Sequence, residues 1–201
     1  MRLKNLNLKY KKKTMKLKLT SLLLFLPLLT YSQLIKTDIF TVQYDQEKEQ
    51  PIWVEYIVQC PKGTASRSGM DFYLEKGIHT SDNDDYKNNI WDKGHLAPAA
   101  SFNCDTKTLK KTFSYLNSAL QHQGLNRGVW KELEGFERDL ANFYRVKVRV
   151  EVLFINSEKL PTGTTIPSGF RKILEFGGKK YIFKFPNKDT KGTKWVDYLV
   201  E

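Results

Sequence analysis

The chain has 201 residues, 40% of them hydrophobic and 27% charged, enough for one domain with its own core and too few for several. Its net charge of +11 shrinks to +3 beyond residue 32, because eight of the 33 lysines and arginines and none of the 22 acids lie in residues 1–32, so charge alone does not argue for a polyanionic partner. Cys60 and Cys104 are the two cysteines, which excludes a thiolate zinc site.

The first element in chain order is a targeting segment. From Met15 the chain reads MKLKLTSLLLFLPLLTYSQ, with Lys16 and Lys18, an apolar run from Leu19 to Leu29, and then the small residues Thr30 and Ser32. That is the layout of a secretory signal peptide, and the run is too short to span a bilayer. The expectation is cleavage after Ser32, leaving Gln33 first, with residues 1–14 a candidate for an over-called start. The protein is then exported, periplasmic or secreted, without stable membrane association. An oxidising compartment permits a Cys60–Cys104 bond, and the sequence leaves open whether the two meet.

Residues 33–201 read as one domain without repeats. Alternation predicts strands at Ile39–Tyr44 and Ile52–Gln59 around the polar turn Asp45–Gln50. Residues 61–91, rich in Gly, Ser, Asp and Asn, predict a long surface loop. Gly128–Tyr144 predicts a helix, since Val129, Leu133, Phe136, Leu140 and Phe143 form one apolar stripe. Arg145–Ile155 alternates strictly, placing Val146, Val148, Val150 and Val152 on one face. Gly177-Gly178 predicts the two-residue turn of a hairpin. The order is that of an α+β domain with a mostly antiparallel sheet.

A second stripe runs beside the apolar one. At 100° per residue, Asn126, Trp130, Glu134 and Arg138 fall at about 0°, 40°, 80° and 120°. One edge therefore presents an amide oxygen, a carboxylate and a guanidinium. Asn near a helix start also caps, and Glu134–Arg138 also reads as an ordinary i,i+4 pair.

Three stretches in order carry more: DKGHLAPAASF (Asp92–Phe102), LNSALQ (Leu116–Gln121) and LNRGVWKELEGFER (Leu125–Arg138). Together they resemble the DNA/RNA non-specific endonucleases with a ββα-metal finger, a family that includes extracellular bacterial nucleases and mitochondrial endonuclease G. The likeness covers residues 86–138 closely and is looser at TTIPSGFRKIL (Thr164–Leu174). It implies a metal-finger site on the antiparallel sheet and a Mg²⁺-dependent endonuclease, with Mn²⁺ as a substitute. DNA and RNA would be held through their phosphates and cut to 5′-phosphate products.

The same resemblance assigns roles. His95 is the general base, a task that suits neutral imidazole. Asn126 is the direct metal ligand and Glu134 acts on the ion through water, a sparse set that suits Mg²⁺. Arg138, and Arg67 in the loop upstream, offset charge at the phosphate. Asp92, Asn117 and Gln121 support them. Lys93 stands where the family usually has Arg, keeping the charge without a bidentate contact. His79 and His122 read as surface or structural. Two other readings stand beside the enzyme: a non-catalytic nucleic-acid-binding relative that keeps the fold, and an exported scaffold domain. The sequence names no inhibitor partner.

Overall fold

A computed structural model describes residues 32–200. The targeting segment, apart from Ser32, lies outside the described residues. Among those residues no helix is long and apolar enough to cross a membrane.

Six antiparallel strands form the main sheet in the order β1-β2-β3-β6-β7-β8. They are β1 (Ser32–Lys36), β2 (Phe40–Asp45), β3 (Gln50–Ile57), β6 (Lys147–Leu153), β7 (Gly169–Phe176) and β8 (Lys179–Pro186). The sequence alternation sets their faces. Val42, Val54, Val148, Val150, Phe170, Leu174 and Phe185 are all buried on one side. Each such side chain taken from water contributes about 1.5–3 kcal/mol. The opposite side is a charged ladder in which Glu55 faces Arg149 and Glu151 faces Arg171 across neighbouring strands.

Two turns follow from local chemistry. The Asp45 carboxylate accepts from the backbone N–H groups of Glu47 and Lys48 at 3.0 and 3.1 Å, closing the β2–β3 turn. Gly177 and Gly178 have φ of +55° and +74°, the positive pair that a two-residue hairpin turn demands.

β3 and β6 are hydrogen-bonded neighbours, yet nearly ninety residues of chain separate them. That insertion carries the second layer. It holds the long loop after β3, then β4 (Trp91–His95), α1 (Thr106–Lys111) and β5 (Ser118–His122). The short α2 (Gln123–Leu125), a π-helical segment Asn126–Trp130 and α3 (Lys131–Leu140) complete it. β4 and β5 pair antiparallel, with Asp92 opposite Gln121 and His95 opposite Ser118. Leu96, Phe102, Leu116, Leu125, Val129 and Leu133 close the core against the sheet.

Cys60 and Cys104 are disulfide-bonded, tying the start of the long loop to the segment after β4. Closing a loop of 44 residues stabilises by about 4 kcal/mol in the chain-entropy account.

The helix is shorter than its pattern. Gly128 is non-helical (φ −99°, ψ −121°), so the chain kinks before α3. Trp130, just after the kink, is fully buried between Phe170 and Phe185 and so belongs to the core. Phe143 lies past the last turn and is 81% exposed, so it drops out of the apolar stripe.

Candidate active site

β4, α3 and the long loop enclose a cleft of about 960 Å³. Six expected site residues line it: Arg67, Lys93, His95, Asn126, Glu134 and Arg138. The fold brings them from three separate stretches, with β4 supplying the floor, the helical segment one wall and the loop the other.

His95 is the last residue of β4. Its ring sits 4.7 Å from that of Phe72 and 4.9 Å from that of Phe113, centre to centre. Nε2 is buried with no hydrogen-bond partner. Burial, and then the positive charge of Arg67, push its pKa down to about 3. The imidazole is therefore neutral, the form that accepts a proton.

The strand before it is built around small backbone. A Cβ at Gly94 would lie 2.3 Å from Gln121 Oε1, so glycine is required between Lys93 and His95. Gln121 is buried with both amide atoms unpartnered. Asn117 is the opposite case. Its Oδ1 accepts from Ala97 N at 2.7 Å, and its Nδ2 donates to Ala97 O at 2.8 Å and Thr112 O at 2.9 Å. Asn117 thereby fixes the turn that leaves His95.

Asn126 is oriented by Asp92. The carboxylate can only accept, so the Nδ2 donor faces Asp92 Oδ2 at 2.8 Å and Oδ1 is left for another partner. Arg127 grips the same carboxylate through Nε at 2.8 Å and Nη2 at 2.6 Å. Burial works to raise the Asp92 carboxyl, but these hydrogen bonds outweigh it and hold it below its usual range.

Glu134 behaves differently. Burial pushes its carboxyl up to about 7, against the lowering field of Lys172 and with Glu137 adding to the rise. Arg138 stands one turn further, with Nη1 buried and unpartnered. Three residues from Glu134, Glu137 is fully buried and paired with Lys172 at 2.7 Å and with the Tyr56 hydroxyl at 2.7 Å.

Lys93 lines the cleft, but its ammonium is committed. It reaches Asp71 at 3.1 Å and also Asn83, with the rings of Phe72 and Tyr115 each 5.5 Å away. A point charge so held straps the long loop to β4. His79 bonds Glu49 at 3.0 Å, and His122 Nδ1 accepts from Gly124 N at 3.0 Å as a helix cap; neither lines the cleft.

Lys131 also lines the cleft, and the sequence reading passed over it. The signal was present: position 131 falls beside Arg138 on the helical wheel, at about 140°. Phe72, Asp71 and Asn83 gave no such signal, because they sit in the long loop where no periodicity marks a face.

The donor set fits a hard cation. Among the described residues no three His, Cys, Asp or Glu side chains converge on a metal position. One freed amide oxygen with a carboxylate nearby matches the sparse protein ligation of Mg²⁺, which keeps most of its waters.

A family model described as DNA/RNA non-specific endonuclease matches residues 27–201. Mitochondrial endonuclease G of Bos taurus is 31% identical over 111 residues, 53% of this chain and 37% of the relative. Mitochondrial nuclease EXOG of Homo sapiens is 32% identical over 140 residues, 67% of this chain and 36% of the relative. The chain thus spans little more than a third of these curated relatives. In shape it is similar to a chain in the crystal structure of the EndoG/EndoGI complex, at a TM-score of 0.72 and 24% identity, covering 84% of this chain and 80% of that one.

These relatives correct the expectation of export. The endonuclease G of cattle and human and the nucleases of human and yeast carry mitochondrial names, which points to a mitochondrial rather than an exported location. Transit peptides share the basic, acid-free composition of residues 1–18, so charge alone could not separate the two addresses.

Proposed function

Because the chain belongs to the DNA/RNA non-specific endonuclease family, we propose that it hydrolyses phosphodiester bonds of DNA and RNA, leaving 5′-phosphate products, with Mg²⁺ bound and Mn²⁺ able to replace it. The observation that carries this reading is the convergence of His95, Asn126, Glu134, Arg67 and Arg138 on one cleft.

Neutral His95 takes the proton of the attacking water. Arg67 and Arg138 face the phosphate and offset charge on its non-bridging oxygens. A phosphate paired with Arg67 cancels one of the two causes that depress His95, so substrate binding makes the base stronger when it is needed. Asn126 Oδ1, and Glu134 through water, would hold the cation, with Asp92 fixing the amide. When bound, the ion supplies Lewis-acid stabilisation of the phosphoryl group and the departing 3′-oxygen. Contacts of this kind reach the backbone and not base edges, which suits a lack of sequence preference.

The test uses supercoiled plasmid and RNA, with Mg²⁺ or EDTA, beside His95→Ala and Asn126→Ala. Cutting of both substrates in Mg²⁺ alone, lost in each variant, is the expected result. No cutting of either by the wild-type protein overturns the enzyme reading, and binding without cutting favours the non-catalytic relative.

A further inference from the structure

Just past helix α3 the chain exposes two aromatic rings that the core does not use. Phe143 is 81% exposed and Tyr144 49%. Tyr144 lies 5.7 Å from the Phe176 ring, which stacks on Tyr181 at 5.2 Å. The Gly177-Gly178 turn leaves room for this row, since a Cβ at Gly177 would come within 3.3 Å of the Tyr144 ring. Around the rings positive charge predominates. Arg145, Lys147, Lys179 and Lys180 line a hollow of about 450 Å³ in which Glu175 is the sole acid. Lys147 is already paired with Glu55 at 3.0 Å, which leaves Arg145, Lys179 and Lys180 for a ligand.

We infer that this end of the molecule is a second contact for single-stranded nucleic acid. Phe143 and Tyr144 stack unpaired bases, while Arg145, Lys179 and Lys180 take the neighbouring phosphates. The reading of the ligand rests on the proposed nuclease activity. Exposed aromatic rings beside cations are the combination that binds single strands, because every base offers a π-face and every linkage a charge. Position follows from the helix. Phe143 follows Arg138 by five residues, past the end of α3 at Leu140, so the rings stand at the C-terminal end of the helix that walls the cleft. Such a contact would favour long, unpaired substrates over short or duplex ones.

The experiment reads binding in EDTA, where nothing is cut, with fluorescent poly(dT) and a duplex of equal length. The full chain is compared with Phe143→Ala and with Lys179→Ala/Lys180→Ala. Phe143→Ala is expected to weaken poly(dT) about tenfold and the duplex hardly at all. The lysine pair should weaken both and flatten the salt dependence by about 0.7 in log–log slope per phosphate lost on the single strand. Thermal melts check folding, which an 81% exposed ring and two hairpin-tip lysines leave intact. Wild-type affinity and salt slope in both variants overturn the inference, and so does self-association of the wild-type chain that Phe143→Ala abolishes. Turnover of bis(p-nitrophenyl) phosphate in Mg²⁺ is scored separately: its absence from the wild type sinks the nuclease reading alone.

Discussion

Two glutamates on one helix separate the structural half of this protein from its working half. Glu137 points to the sheet and is fully buried, paired with Lys172 and with Tyr56, and Lys172 also lies over the Trp130 ring at 4.1 Å. Glu134, three residues earlier, points to the cleft, where burial raises its carboxyl to about 7. The contrast extends beyond the pair. Asn117 satisfies every polar atom of its amide, whereas His95 Nε2, both amide atoms of Gln121 and Arg138 Nη1 have no partner. A buried polar atom left alone costs about 1–3 kcal/mol. At His95 and Arg138, which line the cleft, cation, water and phosphate are the partners expected under the proposed chemistry.

The largest expected effect is on the cleft side. His95→Ala should lower kcat by about 10²–10⁴-fold, the usual contribution of a general base, with the melting curve shifted far less than the rate. A variant that cuts plasmid at the wild-type rate would remove His95 from the mechanism. On the sheet side the ranking reverses. Lys172→Met leaves the buried Glu137 with the Tyr56 hydroxyl but no counter-charge, which costs about 3–5 kcal/mol and should appear as a large fall in the urea midpoint. Adding Glu137→Leu should restore part of it, because an apolar pair of similar volume replaces the ion pair at little cost while the Tyr56 hydroxyl loses its acceptor, a cost of about 1–3 kcal/mol. If the double variant is no more stable than Lys172→Met alone, the pair is not the source of the loss. Between the sides lies Asp92. Asp92→Asn frees the Asn126 amide to rotate, and activity should drop about 10–100-fold, as for groups that orient metal ligands. Excess Mg²⁺ should recover part of that loss, and a variant indifferent to Mg²⁺ concentration would contradict the orienting role.

Much of this division was legible in the sequence. The valines of β6 and the glycine pair of the β7–β8 turn declared their positions through period and backbone demand. The ordered motifs around His95, Asn117 and Asn126 carry the family resemblance, and the fold brings His95 and Asn126 to one cleft. Three things were hidden, each for a physical reason. The kink at Gly128 breaks the register between Asn126 and the residues of α3, and an ideal wheel contains no kinks. Lys172 reads as a surface strand residue until its partner on another element is known. The clasp of Lys93 by Asp71 and Asn83 depends on a long loop whose path no local pattern encodes. The disulfide was open for the same reason, since spacing alone does not bring Cys60 to Cys104.

The smallest effect tests the contrast most directly, because Glu134 and His95 pull stability in opposite directions with pH. Glu134 titrates at about 7 in the folded chain against an ordinary value of about 4.3. Between those values the folded chain holds a proton that the unfolded chain has lost, so stability falls as pH rises through the window. His95 titrates at about 3 in the folded chain against an ordinary value of about 6.5. There the unfolded chain holds the extra proton, so stability falls as pH drops from about 6.5 to 3. In EDTA the two slopes oppose each other between about pH 4.3 and 6.5, and the wild-type melting temperature should be nearly flat there. Glu134→Gln should unmask the His95 slope, lowering the melting temperature towards acid and raising it above the wild type at pH 8. His95→Gln should unmask the other slope and decline towards neutral pH. Mg²⁺ should lift the wild type above neutrality and leave Glu134→Gln nearly unmoved. Parallel profiles for the three proteins in EDTA would mean that Glu134 is as well matched to its surroundings as Glu137, and the division between the two faces of α3 would fail.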